Sequence, residues 1–201
     1  NSFSGTFDSA DGDGQDAVTF DDTGAGTDPI TVSGTVNPAT KTFANTSSFY
    51  RLDGGTVAGS GDLIVNGGGD VSFGNEQGGS VTPPTLGFTG NTSITNGSSL
   101  GFLNQANGTS VSLGSGTVTV DDGAFGLHNT GSGAGYTFTN DITIGASGGT
   151  LSFHGDSGLG NHPTLSGTVT LSGDLDNAPR TTVFGDRLTN GFDDNNGVDL
   201  S

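Results

Sequence analysis

Short runs in which apolar and polar residues alternate recur along the whole chain, separated by clusters of Gly, Asp, Asn and Ser. The first half carries Ser-Phe-Ser-Gly-Thr-Phe (2–7), Ala-Val-Thr-Phe (17–20), Ile-Thr-Val-Ser-Gly-Thr-Val (30–36), Lys-Thr-Phe (41–43), Phe-Tyr-Arg-Leu (49–52), Asp-Leu-Ile-Val (62–65) and Asp-Val-Ser-Phe (70–73). The second half continues with Ser-Ile-Thr (93–95), Leu-Gly-Phe-Leu (100–103), Val-Ser-Leu (111–113), Thr-Val-Thr-Val (117–120) and Phe-Gly-Leu-His-Asn (125–129). Asp-Ile-Thr-Ile (141–144), Leu-Ser-Phe-His (151–154), Thr-Val-Thr-Leu (168–171) and Thr-Val-Phe (182–184) complete the series. A period of two with Val, Ile, Thr and Phe in the apolar places predicts strands, and no window carries the i, i+3, i+4, i+7 spacing of a helix. Val118, Val120, Ile142 and Ile144 are expected to point inward, with Thr117, Thr119 and Thr143 outward.

The runs also repeat on a longer scale. Phe73, Phe102, Leu127 and Phe153 each follow a turn with Gly or Asp-Gly, at spacings of 29, 25 and 26 residues, and Asn75, Asn104 and Asn129 stand two residues further on in three of these units. A fixed period in the twenties marks a solenoid, whose coils touch only their neighbours. The expectation is therefore an all-β, single-domain parallel β-helix (β-solenoid) with coils of about 25 residues. It spans residues 1–201, with strand-like terminal segments at 1–7 and 181–201. Parallel stacking places equivalent side chains about 4.8 Å apart, so that Phe stacks fill the inside and Asn ladders line a corner.

Composition fits that architecture and poorly fits a globule. The 201 residues include 39 glycines and only 29% hydrophobic residues, with a net charge of −17, values that lean towards disorder. The periodicity of the apolar residues argues against disorder, because a narrow core needs few of them. Four basic residues (Lys41, Arg51, Arg180, Arg187) against 21 acidic ones leave no cationic face for nucleic acid or anionic membrane. No apolar run approaches a membrane span. The absence of cysteine excludes disulfides, thiol catalysis and Cys-ligated zinc. A chain opening at Asn-Ser-Phe-Ser is what a processed secreted protein or an excised domain would present.

Residues 17–75 carry a more specific pattern. Ala-Val-Thr-Phe-Asp-Asp-Thr-Gly-Ala-Gly (17–26) is followed by Ile-Thr-Val-Ser-Gly-Thr-Val-Asn-Pro (30–38) and by Gly-Thr-Val-Ala-Gly-Ser-Gly-Asp-Leu-Ile-Val-Asn-Gly-Gly-Gly-Asp-Val-Ser-Phe (55–73). This order of segments resembles the autotransporter-associated β-strand repeat of large bacterial surface and secreted proteins, including those with PEP-CTERM sorting signals. The resemblance implies a parallel β-helix, export to the cell surface or medium, and a role as a stalk, adhesin or matrix component. It implies no catalytic residues. The chain departs from the repeat at Gly-Asp-Val-Ser-Phe (69–73) and Asn-Glu-Gln-Gly-Gly-Ser (75–80), and the second half is only generically similar.

Several groups could carry chemistry. Asp8, Asp11, Asp13 and Asp16 alternate along a Gly-relieved loop, as a hard cation such as calcium requires, although the spacing is not that of an EF-hand. Asp193, Asp194 and Asp199 form a second acidic cluster at the far end, and a cation could bridge the end of one molecule to the start of the next. The plainer reading of both clusters is a solvated acidic loop. His128 and His154, 26 residues apart, are expected on consecutive rungs facing outward, with His162 nearby. A transition-metal site there is the sharper alternative. Thr-x-Thr pairs do not recur on consecutive coils, which disfavours ice binding, and the Asn-x-Ser/Thr sequons at 45, 91, 96 and 107 matter only to a glycosylating host.

A polysaccharide lyase or hydrolase would need a basic residue or paired acids in an aromatic-lined groove; there is no Trp, there are two tyrosines, Tyr50 and Tyr136, and the arginines are dispersed. The expectation is thus a non-enzymatic extracellular or cell-surface structural protein that associates with itself head to tail. Exposed strand edges at the solenoid ends would mediate this, with Phe3 and Phe7 on one side and Val183 and Phe184 on the other. A monomeric stalk or adhesin binding surface glycans is the alternative, and a polysaccharide-active enzyme a further one.

Overall fold

A computed structural model describes residues 16–24, 29–74, 82–103, 105, 108–129, 135–155, 162–172 and 182–185, with backbone alone at 154, 155 and 182–185. These residues wind into stacked coils of about 26 residues, all-β save for a 3-10 turn at Asp22–Gly24. The first coil contributes β1 (Ala17–Phe20), β2 (Ile30–Thr31) and β3 (Thr35–Val36), and the second β4 (Thr40–Phe43), β5 (Phe49–Asp53) and β6 (Thr56–Val57). The third holds β7 (Leu63–Val65), β8 (Asp70–Phe73) and β9 (Thr85–Leu86); the fourth holds β10 (Thr92–Thr95), β11 (Ser99–Leu103) and β12 (Ser110–Val111). The fifth has β13 (Val118–Asp121), β14 (Ala124–Asn129) and β15 (Thr137–Phe138), and the sixth β16 (Ile142–Ile144), β17 (Gly149–Gly155) and β18 (Thr164–Leu165). With β19 (Val169–Leu171) and β20 (Thr182–Gly185) a seventh begins.

Equivalent strands pair in parallel from coil to coil. The first face is the seven-stranded sheet β1-β4-β7-β10-β13-β16-β19, and the second is β2-β5-β8-β11-β14-β17-β20. Third strands form two three-stranded sheets, β3-β6-β9 and β12-β15-β18. Phe73, Phe102, Leu127 and Phe153 are register partners in the second sheet, as their spacing predicts.

The inside of the stack is built from ladders of such partners. On the first face Phe43, Val65, Ile94, Val120 and Ile144 succeed one another in register, each buried. The parallel ladder two residues earlier runs Val18, Lys41, Leu63, Thr92, Val118, Ile142 and Val169, its members 22 to 29 residues apart. Thr119 and Thr143 occupy the intervening outward places on the first face. Phe20 and Phe43 stack with centroids 4.6 Å apart and planes 13° from parallel, and Phe102 meets Tyr136 and Phe138 edge-on at 6.0 and 5.5 Å. Such offset and edge contacts let large rings fill a narrow core without overlap of their electron-rich faces. Tyr136 is wholly buried; its hydroxyl donates to the Phe102 carbonyl at 2.6 Å and accepts from the His128 amide at 3.0 Å. Burial pushes this phenol far up, so it stays neutral.

Two features depart from the sequence expectation. The run Ile30–Val36 reads as one strand but is two, β2 and β3, because Gly34 takes φ +69° and turns the chain between faces. The two-residue strands β6, β9, β15 and β18 have no sequence counterpart long enough to display alternation. Coils also approach closely: a Cβ on Gly61 would lie 1.1 Å from the carbonyl oxygen of Ala39 in the preceding coil.

Candidate functional site

Most acidic side chains with a described partner hold the coils to one another. At the corner after β1, Asp22 accepts from the backbone amides of Thr46, Ser47 and Ser48 in the next coil at 3.1–3.2 Å, and from the Thr46 hydroxyl. The same device recurs: Asp53 accepts from the Thr82 amide, Asp62 from Asn91 and Asp141 from Thr168, each at 2.8 Å, and Asp121 from Ser147 at 2.6 Å. Asn91 continues the series by accepting from the Thr117 amide at 3.1 Å. At a solenoid corner the backbone leaves the ladder, so its amides need another acceptor, and a carboxylate supplies a strong one. The Thr46 hydroxyl bond foremost, then the Ser47 amide, hold the Asp22 carboxyl well below the usual range. Each of these five carboxylates reaches forward, to an amide later in the chain.

The N-terminal end of the stack holds the one buried cation among the described residues. Lys41 is the chain's only lysine, and it occupies an inward rung between Val18 and Leu63, 4% exposed. Its Nζ donates to the Gly61 carbonyl at 2.6 Å and stands 4.4 Å from the centre of the Phe88 ring. Desolvation lowers its pKa from the ordinary 10.5 to about 8, against the opposing attraction of Asp62. Beside it lies a cavity of about 60 Å³ lined by Val18, Phe20, Val36, Phe43, Leu63, Leu86 and Phe88, among other apolar side chains. The first-coil members, Val18, Phe20 and Val36, are only half-buried, so the cavity sits at the first of the described coils.

Other predicted residues fall as follows. Asp16 is described and exposed, and its carbonyl accepts from the Ala39 amide at 2.8 Å. Asp8, Asp11, Asp13, Asp193, Asp194 and Asp199 lie outside the described residues, as do Phe3, Phe7, Asn75 and Asn104. Among the described residues no three His, Cys, Asp or Glu side chains stand close enough together to hold a metal ion. Val183 and Phe184 lie in β20, whose backbone pairs with Thr150 and Leu151 of β17 and forms the last strand of the second sheet. His128 and His154 are register partners, but His128 is covered, 7% exposed, instead of open to solvent, while His162 is exposed. The sequon asparagine Asn45 is buried too, its amide nitrogen donating to the Ser48 and Asp70 carbonyls at 2.5 and 3.2 Å.

Neither the carboxylate corners nor Lys41 is singled out by sequence pattern. Alternation in Thr-Lys-Thr-Phe (40–43) does place Lys41 on the face of Phe43, and that was the available signal. A shallow polar groove of about 370 Å³ is lined by Ser112, Ser115, Thr117, Thr139, Asn140 and Asp141. No described helix is long and apolar enough to cross a membrane.

No protein-family model, curated protein or solved structure matches the chain. The likeness of residues 17–75 to the autotransporter-associated β-strand repeat therefore rests on those residues themselves.

Proposed function

We propose that the chain is a non-enzymatic structural protein of the cell surface or extracellular space that joins copies of itself head to tail. What supports the reading is the contrast between sealed middle rungs and the less covered rungs of the first and last described coils. Val120 and Ile144 are fully buried, whereas Leu171, their successor on the same ladder, is 55% exposed and Val169 beside it is half-buried. At the opposite end Val18, Phe20, Ile30 and Val32 are half-buried. Apolar rungs and parallel strand edges at both ends are mutually complementary, because the last coil of one copy offers what the first coil of the next would stack upon. Calcium bound by the acidic clusters at either terminus would reinforce such a joint.

Electron microscopy and sedimentation at rising concentration, with and without calcium, test this. Filaments are expected from the wild type, and their loss in Leu171→Asp with an unchanged thermal transition would place the contact at that end. A wild type that stays monomeric at high concentration in both conditions overturns the reading. The groove at Ser115 and Asp141 favours a second reading, a monomeric stalk that binds surface glycans, since hydroxyl, amide and carboxylate groups suit sugar hydroxyls. Glycan binding by a protein that never polymerises would support it instead.

A further inference from the structure

A lysine is costly to bury, and a chain with 21 acidic residues and a single lysine has every opportunity to keep it on the surface beside a carboxylate. Lys41 is instead directed inward on a ladder of Val, Leu, Ile and Thr, at the border of an apolar cavity. Its surroundings restrain the amine without fully solvating it. One N–H goes to the Gly61 carbonyl and the Phe88 ring faces the nitrogen, while the cavity walls beyond are Val18, Val36, Leu63 and Leu86. Asp62, the charged group that acts on the ammonium, has one carboxylate oxygen engaged by the Asn91 amide.

From this arrangement we infer that Lys41 is a nucleophilic amine site that forms a Schiff base with a small apolar aldehyde admitted to the cavity past the half-buried first coil. The chemistry balances without any further reagent. The Nζ lone pair attacks the carbonyl carbon, forming the C–N bond of a carbinolamine. That adduct then loses the former carbonyl oxygen as water, with the two amine hydrogens, to leave the C=N bond. The amine reaches the state with a free lone pair near pH 8 rather than 10.5, because desolvation disfavours its ammonium form. An imine is less basic than its parent amine, so condensation replaces a buried charge by a neutral group, which the apolar walls favour. A cavity of about 60 Å³ holds on the order of four water-sized spheres, which limits the ligand to a few carbon atoms. The net charge of −17 and the apolar lining both disfavour an aldehyde bearing a carboxylate.

The test uses the full chain, butanal or glyoxylate as the probe, and borohydride to trap the imine as a secondary amine, read by peptide mass mapping. The chain has one lysine, so any adduct other than that on the terminal amine reports Lys41. Trapping of butanal at Lys41 is expected to exceed that of glyoxylate by about ten-fold, relative to the terminal amine in the same sample. Prior unfolding in urea should abolish this selectivity. Equal trapping of both aldehydes, or labelling of Lys41 only after unfolding, would overturn the inference. Neither result depends on whether the protein forms filaments.

Discussion

The fifth coil and the first are built on the same plan, yet they differ in what their inward rungs contain. In the fifth, Val118, Val120, Phe125, Leu127 and Phe138 are all wholly buried, with coils on both sides. In the first, Val18, Phe20, Ile30, Val32 and Val36 have a described coil on one side only and are half-buried, beside a cavity and a lysine. A stack whose units touch only their neighbours concentrates its cohesion in the middle, and its ends are where apolar surface and reactive groups become reachable.

That contrast can be broken most strongly from the middle. Phe125→Ala should cost about 3–5 kcal/mol, because the hole is closed in on both sides, whereas Phe20→Ala should cost roughly 1–2 kcal/mol. Urea unfolding of the two variants checks the difference, and equal losses would mean that the first coil is as sealed as the fifth. An intermediate effect is expected at Lys41. Replacing it with Met keeps the volume and removes the buried charge, so stability should be unchanged or raised by up to about 2 kcal/mol at neutral pH.

The pH dependence of that effect has a definite sign. The pKa of Lys41 is lower in the folded chain, about 8, than the ordinary 10.5, so between these values the unfolded state binds more protons. Wild-type stability should therefore rise relative to Lys41→Met as pH increases from 8 to 10.5, and the two should run parallel below 8. Parallel curves throughout would mean that the amine is ionised as in water. The smallest effect is local. Asp22→Ala removes the acceptor of the Thr46, Ser47 and Ser48 amides, so hydrogen exchange should quicken at 46–48 with little change in the global transition. Because its folded pKa is depressed, the wild-type protection should persist above the ordinary carboxylate value of 3.8 and fade as pH drops below it.

How much of this was legible from the chain depends on the length of each signal. The strands 17–20 and 70–73 match their runs residue for residue, and the Phe73, Phe102, Leu127, Phe153 register followed from spacing because four members set a period. Strands such as Thr56–Val57 and Thr137–Phe138 were not legible, since two residues cannot display alternation and their pairing is set by the neighbouring coils. His128 was expected outward; it falls outward of the ladder holding Leu127, but it is covered nonetheless, as is its register partner Leu103. The sequence pattern assigns no role to Asp22, Asp62, Asp121 or Asp141. Their use as acceptors for Thr46, Asn91, Ser147 and Thr168 became visible only when coils 24 to 29 residues apart were set side by side.

The forward reach of Asp22, Asp53, Asp62, Asp121 and Asp141 gives the molecule an arrow. Seen along its axis it is not a symmetric rod: in the described coils, carboxylates reach from one coil to the amides of the coil after it. A two-fold dimer through like ends would reverse that direction at the joint, whereas a head-to-tail joint would continue it. A joint of that kind would not close on itself. A fibre grown from such units would be directional, with one tip able to elongate by different chemistry, and at a different rate, from the other.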